Sequence, residues 1–284
     1  MYFLRTPSLW ILIGLSSFVL QSKSTFSDPA RFKKIHIVVL ENTRWGDAAR
    51  QPFLESLTKK GAFFAKFFAE ARPSQPNYLA LVGGSIFNVA KNAPVDLKET
   101  QITDLLEAKG KTWKTYAEDY PGGCFLGIAK GKYVRKHNPL ISFQTIQQSP
   151  DRCGRIVPAS QLDEDIAQKK LPDFSLYIPD NDHNGHDTGV EKADQWLKQR
   201  YAPLLTQPDF MKDMLLVVTF DESHLEDSTN QIYTAFFGDS VRPGAVNLTR
   251  HDHYSLLKLV EEQWALGSLG RNDGNAPVID GIWK

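Results

Sequence analysis

The sequence lacks most of the features that mark a specialised chain. It carries no excess charge, since 33 Lys and Arg residues balance 33 Asp and Glu. Nothing therefore points to a nucleic-acid partner or a polybasic membrane patch, although a local cluster can hide inside a neutral total. It has no internal repeat and no low-complexity tract. Beyond the N-terminus it has no long apolar run, so the mature chain is expected to be soluble, with no stable membrane anchor. Cysteine is scarce, with two residues in 284. What remains is an ordinary globular composition, 42% hydrophobic and 23% charged, of a length that suits one large α/β domain.

The N-terminus departs from this pattern. Arg5 precedes an apolar run from Leu9 to Leu20, and Ser22-Lys23-Ser24 follows. This is the layout of a secretory signal peptide, expected over residues 1–24, with a catalytic domain over 25–284. The run is too short for a comfortable membrane span. In an exported chain, Cys124 and Cys153 are expected to form a disulfide. It would close a loop of roughly thirty residues and contribute about 3–4 kcal/mol in the chain-entropy description. Asn247-Leu248-Thr249 is the one N-glycosylation sequon.

Short apolar runs predict strands at 35–40, 112–117, 174–178, 215–220 and 232–237. Helical spacing and stop signals predict helices at 52–60, 74–82, 97–109, 191–205 and 254–264. The stretch 119–160 is rich in Gly, Pro and polar residues, carries both cysteines, and reads as an irregular insertion. Alternation of strands with helices predicts a single α/β domain, a mainly parallel sheet flanked by helices.

Three of these strands run into acids: Glu41-Asn42, Asp180-Asn181-Asp182 (after Pro179) and Asp221-Glu222. In open α/β sheets the functional crevice lies beyond the carboxyl ends of the strands, so these groups are expected to meet. Clustered carboxylates raise one another's pKa unless a cation neutralises them, which predicts a divalent metal. Histidines support this: Asp182-His183-Asn184-Gly185-His186-Asp187 and His251-Asp252-His253 supply an oxygen and nitrogen set. His36 and His137 read as packing residues. Ser74, in Arg72-Pro73-Ser74-Gln75-Pro76-Asn77-Tyr78, is expected at the start of a helix, where free N–H groups favour phosphate, and is the candidate nucleophile.

These pieces together resemble the phosphoesterase family of acid phosphatases and non-haemolytic phospholipases C, within the alkaline-phosphatase-like superfamily. The matching segments are Leu40-Glu41-Asn42, Arg72 to Tyr78, Tyr177-Ile178-Pro179-Asp180, Asn184 to Gly189, Thr219 to Ser223 and His253 to Leu257, in family order over nearly the whole mature chain. The resemblance implies that Glu41, Asn42, Asp221 and Glu222 ligate one metal bridged by Ser74. It implies Asp182, His186 and His253 as a second set, with His186 and His253 free to bind metal or substrate, and Asn77, with His183 and His186, as phosphate-binding. One or two divalent ions per site are expected, of Zn, Mg, Mn or Ca.

The expected function is a secreted, metal-dependent acid phosphatase that cleaves small phosphate monoesters through a phosphoserine intermediate. The missing C-terminal extension of the larger phospholipases C favours this over two close alternatives. One is a phosphodiesterase or phospholipase C, the other a phosphoinositide phosphatase, both acting on phospholipid headgroups. A non-catalytic secreted binding protein on the same fold is the alternative of another class. Against it, no expected ligand position carries an apolar residue.

Overall fold

The computed structural model describes residues 1–2 and 31–284; the expected signal peptide falls almost wholly outside them. In chain order the main elements are β1 (Lys34–Leu40), α1 (Pro52–Lys60), β2 (Ala62–Phe64), α2 (Ser74–Gly83), α3 (Ile102–Ala108) and β3 (Trp113–Ala117). The hairpin strands β4 (Ala129–Lys130) and β5 (Tyr133–Val134) follow, then β6 (Ile156–Pro158), α4 (Gln161–Ala167), β7 (Phe174–Ile178) and α5 (Val190–Tyr201). The chain continues with β8 (Met214–Phe220), β9 (Thr234–Gly238), β10 (Ala245–Asn247) and α6 (His253–Gln263).

The apolar runs of β1 and β8 are buried along their length, apart from Lys34 at the start. A strand buried on both faces belongs in the middle of a covered parallel sheet. The two pair in parallel from Lys34↔Met214 to Leu40↔Phe220. The eight-stranded sheet has the order β10-β2-β9-β8-β1-β7-β3-β6. Strands β8, β1, β7, β3 and β6 are mutually parallel, and β9 runs antiparallel to both β8 and β2. The mixed α/β domain expected from the alternation is therefore present, with antiparallel pairing confined to the β9 side.

Several boundaries differ for local reasons. Helix α3 begins at Ile102 rather than near Leu97, because Gln101 caps it: its side chain accepts from Thr103 N at 2.8 Å, and Asp104 accepts from Gln101 N at 2.9 Å. Helix α5 stops at Tyr201, and Pro203 starts a separate turn over Leu204–Thr206. The insertion 119–160 is more ordered than expected. It contains the β4–β5 hairpin, short helical turns and β6, which extends the sheet edge beside β3. Cys124 and Cys153 are disulfide-bonded, with Cα atoms 5.4 Å apart. Asn247 of the sequon is 7% exposed, and its amide donates to Asp280 O at 2.9 Å, so the nitrogen a glycan would need points inward. Among the described residues no helix is long and apolar enough to cross a membrane.

His36 lies buried in β1 as a packing histidine. Its ring nitrogens sit 2.7 Å from Ser175 Oγ and 3.0 Å from Tyr201 Oη, and burial with the Arg200 charge pushes its pKa down to about 3.

Helix α1 has no cap of its own, since Gln51 makes no side-chain bond there. Asp194 of α5 supplies it from across the interface, accepting from Phe53 N at 3.0 Å and Leu54 N at 2.8 Å while buried. Replacing Asp194 by Ala leaves those N–H groups without partners. The expected cost is about 1–2 kcal/mol, read as a lower midpoint in urea unfolding with an unchanged slope.

Candidate active site

Parallel pairing of β1 and β8 places two acid pairs side by side. Leu40 is in register with Phe220, and Asp221 N donates to Leu40 O at 2.8 Å. Glu41 and Asn42 therefore leave the sheet beside Asp221 and Glu222. All four are buried, Glu41 and Asp221 completely. Ser74 is the first residue of α2, after Pro73, and is 2% exposed. Its hydroxyl donates to Glu41 Oε2 at 3.0 Å and lies 3.4 Å from Asn42 Oδ1 and 3.3 Å from Glu222 Oε1. Asn42 Nδ2 donates to Glu222 Oε1 at 2.7 Å. Five residues from three elements thus share one pocket, to which two of the three acid-bearing strand ends contribute, while Asp180 and Asp182 lie elsewhere.

The electrostatics of this pocket are unbalanced. Burial, then the charges of Glu41 and Glu222, hold Asp221 well above the usual carboxylate range. Both Asp221 oxygens lack a hydrogen-bond partner among the described residues, as does Glu222 Oε2. Burial also raises Glu222, against the hydrogen bond from Asn42. Arg72 offers partial relief, with Nη1 3.6 Å from Glu222 Oε2. Glu41 goes the other way. Burial would raise its pKa, but the charge and contact of His137, with Lys136 and the Tyr78 hydroxyl, pull it well below the ordinary value. Buried oxygens without partners are costly, and an all-oxygen donor set suits a hard divalent cation. Glu41, Asn42, Asp221, Glu222 and Ser74 fit such an ion.

His137 and Tyr78 are the residues that sequence reasoning missed. Tyr78 donates to Glu41 Oε1 at 2.9 Å, and His137 Nε2 lies 3.0 Å from the same oxygen. The two rings stack, centroids 5.4 Å apart. His137 is 2% exposed and arrives on the Arg135–His137 turn of the insertion. Tyr78 stood one turn beyond Ser74, where i and i+4 share a helix face, which is the one signal available. His137 gave none, because its partner lies 96 positions away by the residue numbers.

The other expected residues do not join the carboxylates. Asp182 turns outward and pairs with Lys132 at 3.0 Å. His253 is buried with both ring nitrogens engaged, Nδ1 2.6 Å from Glu70 Oε2 and Nε2 3.0 Å from Phe220 O. Burial would lower its pKa, but Glu70 and the carbonyl outweigh this and raise it. Asn77 spends its carboxamide on the 70–73 loop, accepting from Glu70 N at 3.0 Å and Ala71 N at 2.9 Å and donating to Ala71 O. His183 bonds Glu118 and stacks on Trp196 at 5.4 Å.

His186 is the exception. Its ring is half-exposed, with Nδ1 4.0 Å from Glu41 Oε2. It opens onto a cavity of about 310 Å³ that Asn42, Arg44, His224 and Glu226 also line. The loop that carries it depends on Gly185, at φ +94°, where an added Cβ would also meet Ala193 at 3.2 Å.

By proximity alone a different trio is the better metal set, since Glu118, Asp180 and His183 hold ligand atoms within 4.8 Å of one another. Hydrogen-bond accounting reverses that order. Glu118 already accepts from Tyr177 Oη, Trp196 Nε1 and Asp180 N, and Asp180 from the N–H groups of Asp182 and His183. The Asp221 oxygens have nothing.

Two outcomes follow. In metal-free protein, Asp221→Asn should raise the thermal midpoint at neutral pH. The sign follows from the raised native pKa: folding retains a proton that the unfolded chain releases, so stability falls as pH climbs above the ordinary Asp value, and the amide removes that slope. Thermal unfolding from pH 4 to 8 with chelator present checks it. His137→Ala should weaken divalent-ion binding by about 10–100-fold, measured by titration calorimetry, because Glu41 loses the partner that holds it anionic and oriented.

Comparisons with known proteins agree on the family. Residues 43–267 match the Phosphoesterase family. An acid phosphatase of Aspergillus fumigatus is 31% identical over 261 residues, covering 88% of this chain and 58% of its own length. A phosphatidylinositol-3-phosphatase of Mycobacterium tuberculosis is 36% identical over 256 residues, covering 87% of this chain and 82% of its own. The chain spans less than two thirds of the length of the fungal relatives. Among solved structures, a protein of the alkaline phosphatase superfamily from Vibrio parahaemolyticus shares the fold at TM-score 0.59 and 13% identity, over 89% of this chain and 73% of its own. With most of its length matched, and its strand-end acids and helix-start serine gathered in one pocket, the chain belongs to the phosphoesterase family.

Proposed function

We propose that this chain is a metal-dependent phosphatase that hydrolyses phosphate monoesters through a phosphoserine intermediate. The observation that carries the reading is the Ser74 hydroxyl, held 3.0–3.4 Å from Glu41, Asn42 and Glu222 at the start of a buried helix. A bound divalent cation would neutralise the surrounding carboxylates and make the Ser74 alkoxide accessible.

The chain's own residues supply the rest. The N-terminus of α2 directs its positive dipole at phosphate oxygens, while the Gln75 N–H is already given to Asn92 Oδ1 and Pro76 has none to offer. Of the carboxylates within reach of the hydroxyl, Glu41 is held as an anion and already accepts its hydrogen bond at 3.0 Å, so it is the proton acceptor. Ser74 Oγ forms a bond to phosphorus as the ester P–O bond breaks. His186, at the mouth of the pocket, donates a proton to the leaving oxygen. Water then cleaves the phosphoserine bond by the reverse proton path, returning Ser74 and releasing phosphate.

A second reading, removal of a phosphate from a phosphoinositide headgroup, is supported by the mycobacterial relative, of which this chain covers 82%. The site chemistry is common to both, and the leaving group alone differs. Export, expected from the apolar N-terminal run, is supported by the Cys124–Cys153 disulfide, which persists only in oxidising compartments.

Ser74→Ala should lower turnover of an aryl phosphate monoester by at least about 10³-fold, assayed with divalent ion in excess. Near-normal turnover in that variant would refute the nucleophile. Dialysis against chelator should abolish activity and added divalent ion restore it; full activity in protein shown metal-free by elemental analysis would remove the cation from the mechanism. An aryl monoester, an aryl diester and a phosphatidylinositol phosphate, assayed side by side, separate the two readings.

A further inference from the structure

The insertion concentrates charge of one sign within a neutral chain. From Tyr120 to Pro150 there is no Asp or Glu, while Lys130, Lys132, Arg135 and Lys136 fall within seven residues. Residues 126–132, Leu-Gly-Ile-Ala-Lys-Gly-Lys, are exposed without interruption. Within them Leu126 is 44% and Ile128 70% exposed. Aliphatic side chains so placed are common singly, but here two accompany an acid-free cluster of cations on one short hairpin.

The hairpin is held firmly in this pose. The Cys124–Cys153 disulfide fixes its base. Arg135 turns inward, bonding Asp96, Val95 O and Leu126 O at 2.7–2.8 Å, and is not available to a partner. Phe125 packs edge-on to Tyr133 beneath the strands, and Lys132 N donates to Asp119 at 3.2 Å. Lys132 pairs with Asp182 through exposed groups. Neither Lys130 nor Lys136 has a carboxylate within 4.0 Å among the described residues. The aliphatic tips are therefore presented already ordered, together with Lys130, which has no carboxylate partner, and Lys136, whose charge also acts on Glu41.

The hairpin also borders the catalytic pocket. Ile128, Val134 and Lys136 share a mostly apolar cavity of about 190 Å³ with Gln75, the neighbour of Ser74, and Pro94. Lys132 reaches Asp182, on the loop that carries His186, and the strand β5 leads directly into the turn of His137, which touches Glu41.

We propose that residues 126–136 form a docking surface for an anionic lipid bilayer. Lysines at the headgroup level with aliphatic tips below them are what such an interface accepts, whereas a soluble polyanion would use the cations alone. Docking there sets the membrane plane at the rim of the pocket, so a lipid-borne phosphate ester reaches Ser74 without leaving the bilayer. The docking does not depend on which ester is cleaved, and its test is read from vesicle partitioning, with turnover serving only to check the fold.

The test is co-sedimentation of the mature protein with unilamellar vesicles of phosphatidylcholine, with and without phosphatidylserine. Binding is expected to the anionic vesicles, little to the neutral ones, and less as salt increases. The double variant Ile128→Ser, Lys130→Ser should partition at least about tenfold less, with turnover of a soluble aryl monoester unchanged, which certifies the fold. Absence of binding to phosphatidylserine vesicles by folded, active protein overturns the proposal. So does equal binding by the double variant. Tight binding to soluble heparin that Ile128→Ser alone does not weaken, joined to no preference for vesicles, assigns the surface to polyanions and overturns it as well.

Discussion

Three carboxylates, Glu41, Asp221 and Glu222, are forced into one dry pocket around a serine hydroxyl, and the structure near the site is organised by that repulsion. None of the three can move away, because two leave the ends of adjacent central strands locked in register and the third follows the second in sequence. Their environments diverge as a result. Glu41 is pulled down by His137 and Tyr78, while Asp221 and Glu222 are pushed up by burial. A pocket with one carboxylate fixed as an anion and two poised to give up or take a proton is strained without a counter-charge and well prepared with one.

What the sequence made legible was everything that rests on local pattern. The runs of β1, β7 and β8 are so apolar that no alternative to a central parallel sheet competes, and their ends locate the crevice. Ser74 was legible because Pro76 marks a helix start. The second set of candidates, Asp182 and His253, was not legible in the same way, because its fate depends on partners remote in sequence. Asp182 faces Lys132 of the insertion, and His253 meets Glu70, 183 positions away. Spacing says that such residues are near a turn or a helix start. It does not say which way the side chain turns there.

The insertion shows the same limit from the other side. Its Gly- and Pro-rich composition reads as irregular, and the disulfide reads only as a staple. Folded, it delivers His137 to Glu41 and places the β4–β5 hairpin beside Gln75. His137 read only as a packing residue, and its neighbours Lys136, Asn138 and Pro139 offer no hint of the contact with Glu41 that it makes while stacked on Tyr78 of α2. The segment that pattern reading took for irregular thus closes one side of the pocket and holds Glu41 as an anion.

The spent nitrogens of His253 bear on how many cations the pocket suits. Both face acceptors, which requires both to carry protons, and a doubly protonated ring has no lone pair for a metal. Asp182 is directed to an exposed lysine, so two of the three groups needed for a second ion lie elsewhere in this arrangement. His186 alone stays beside Glu41, half-exposed, with Nδ1 4.0 Å from both Glu41 Oε2 and Asp187 Oδ1. A lone imidazole at the mouth of a carboxylate pocket is a weak metal site and a good partner for a dianionic ester, to which it offers an N–H and a proton. The proposed phosphate ester must be attracted to a place already crowded with negative charge, and Arg72, 3.6 Å from Glu222, together with the positive dipole end of α2, favours that approach.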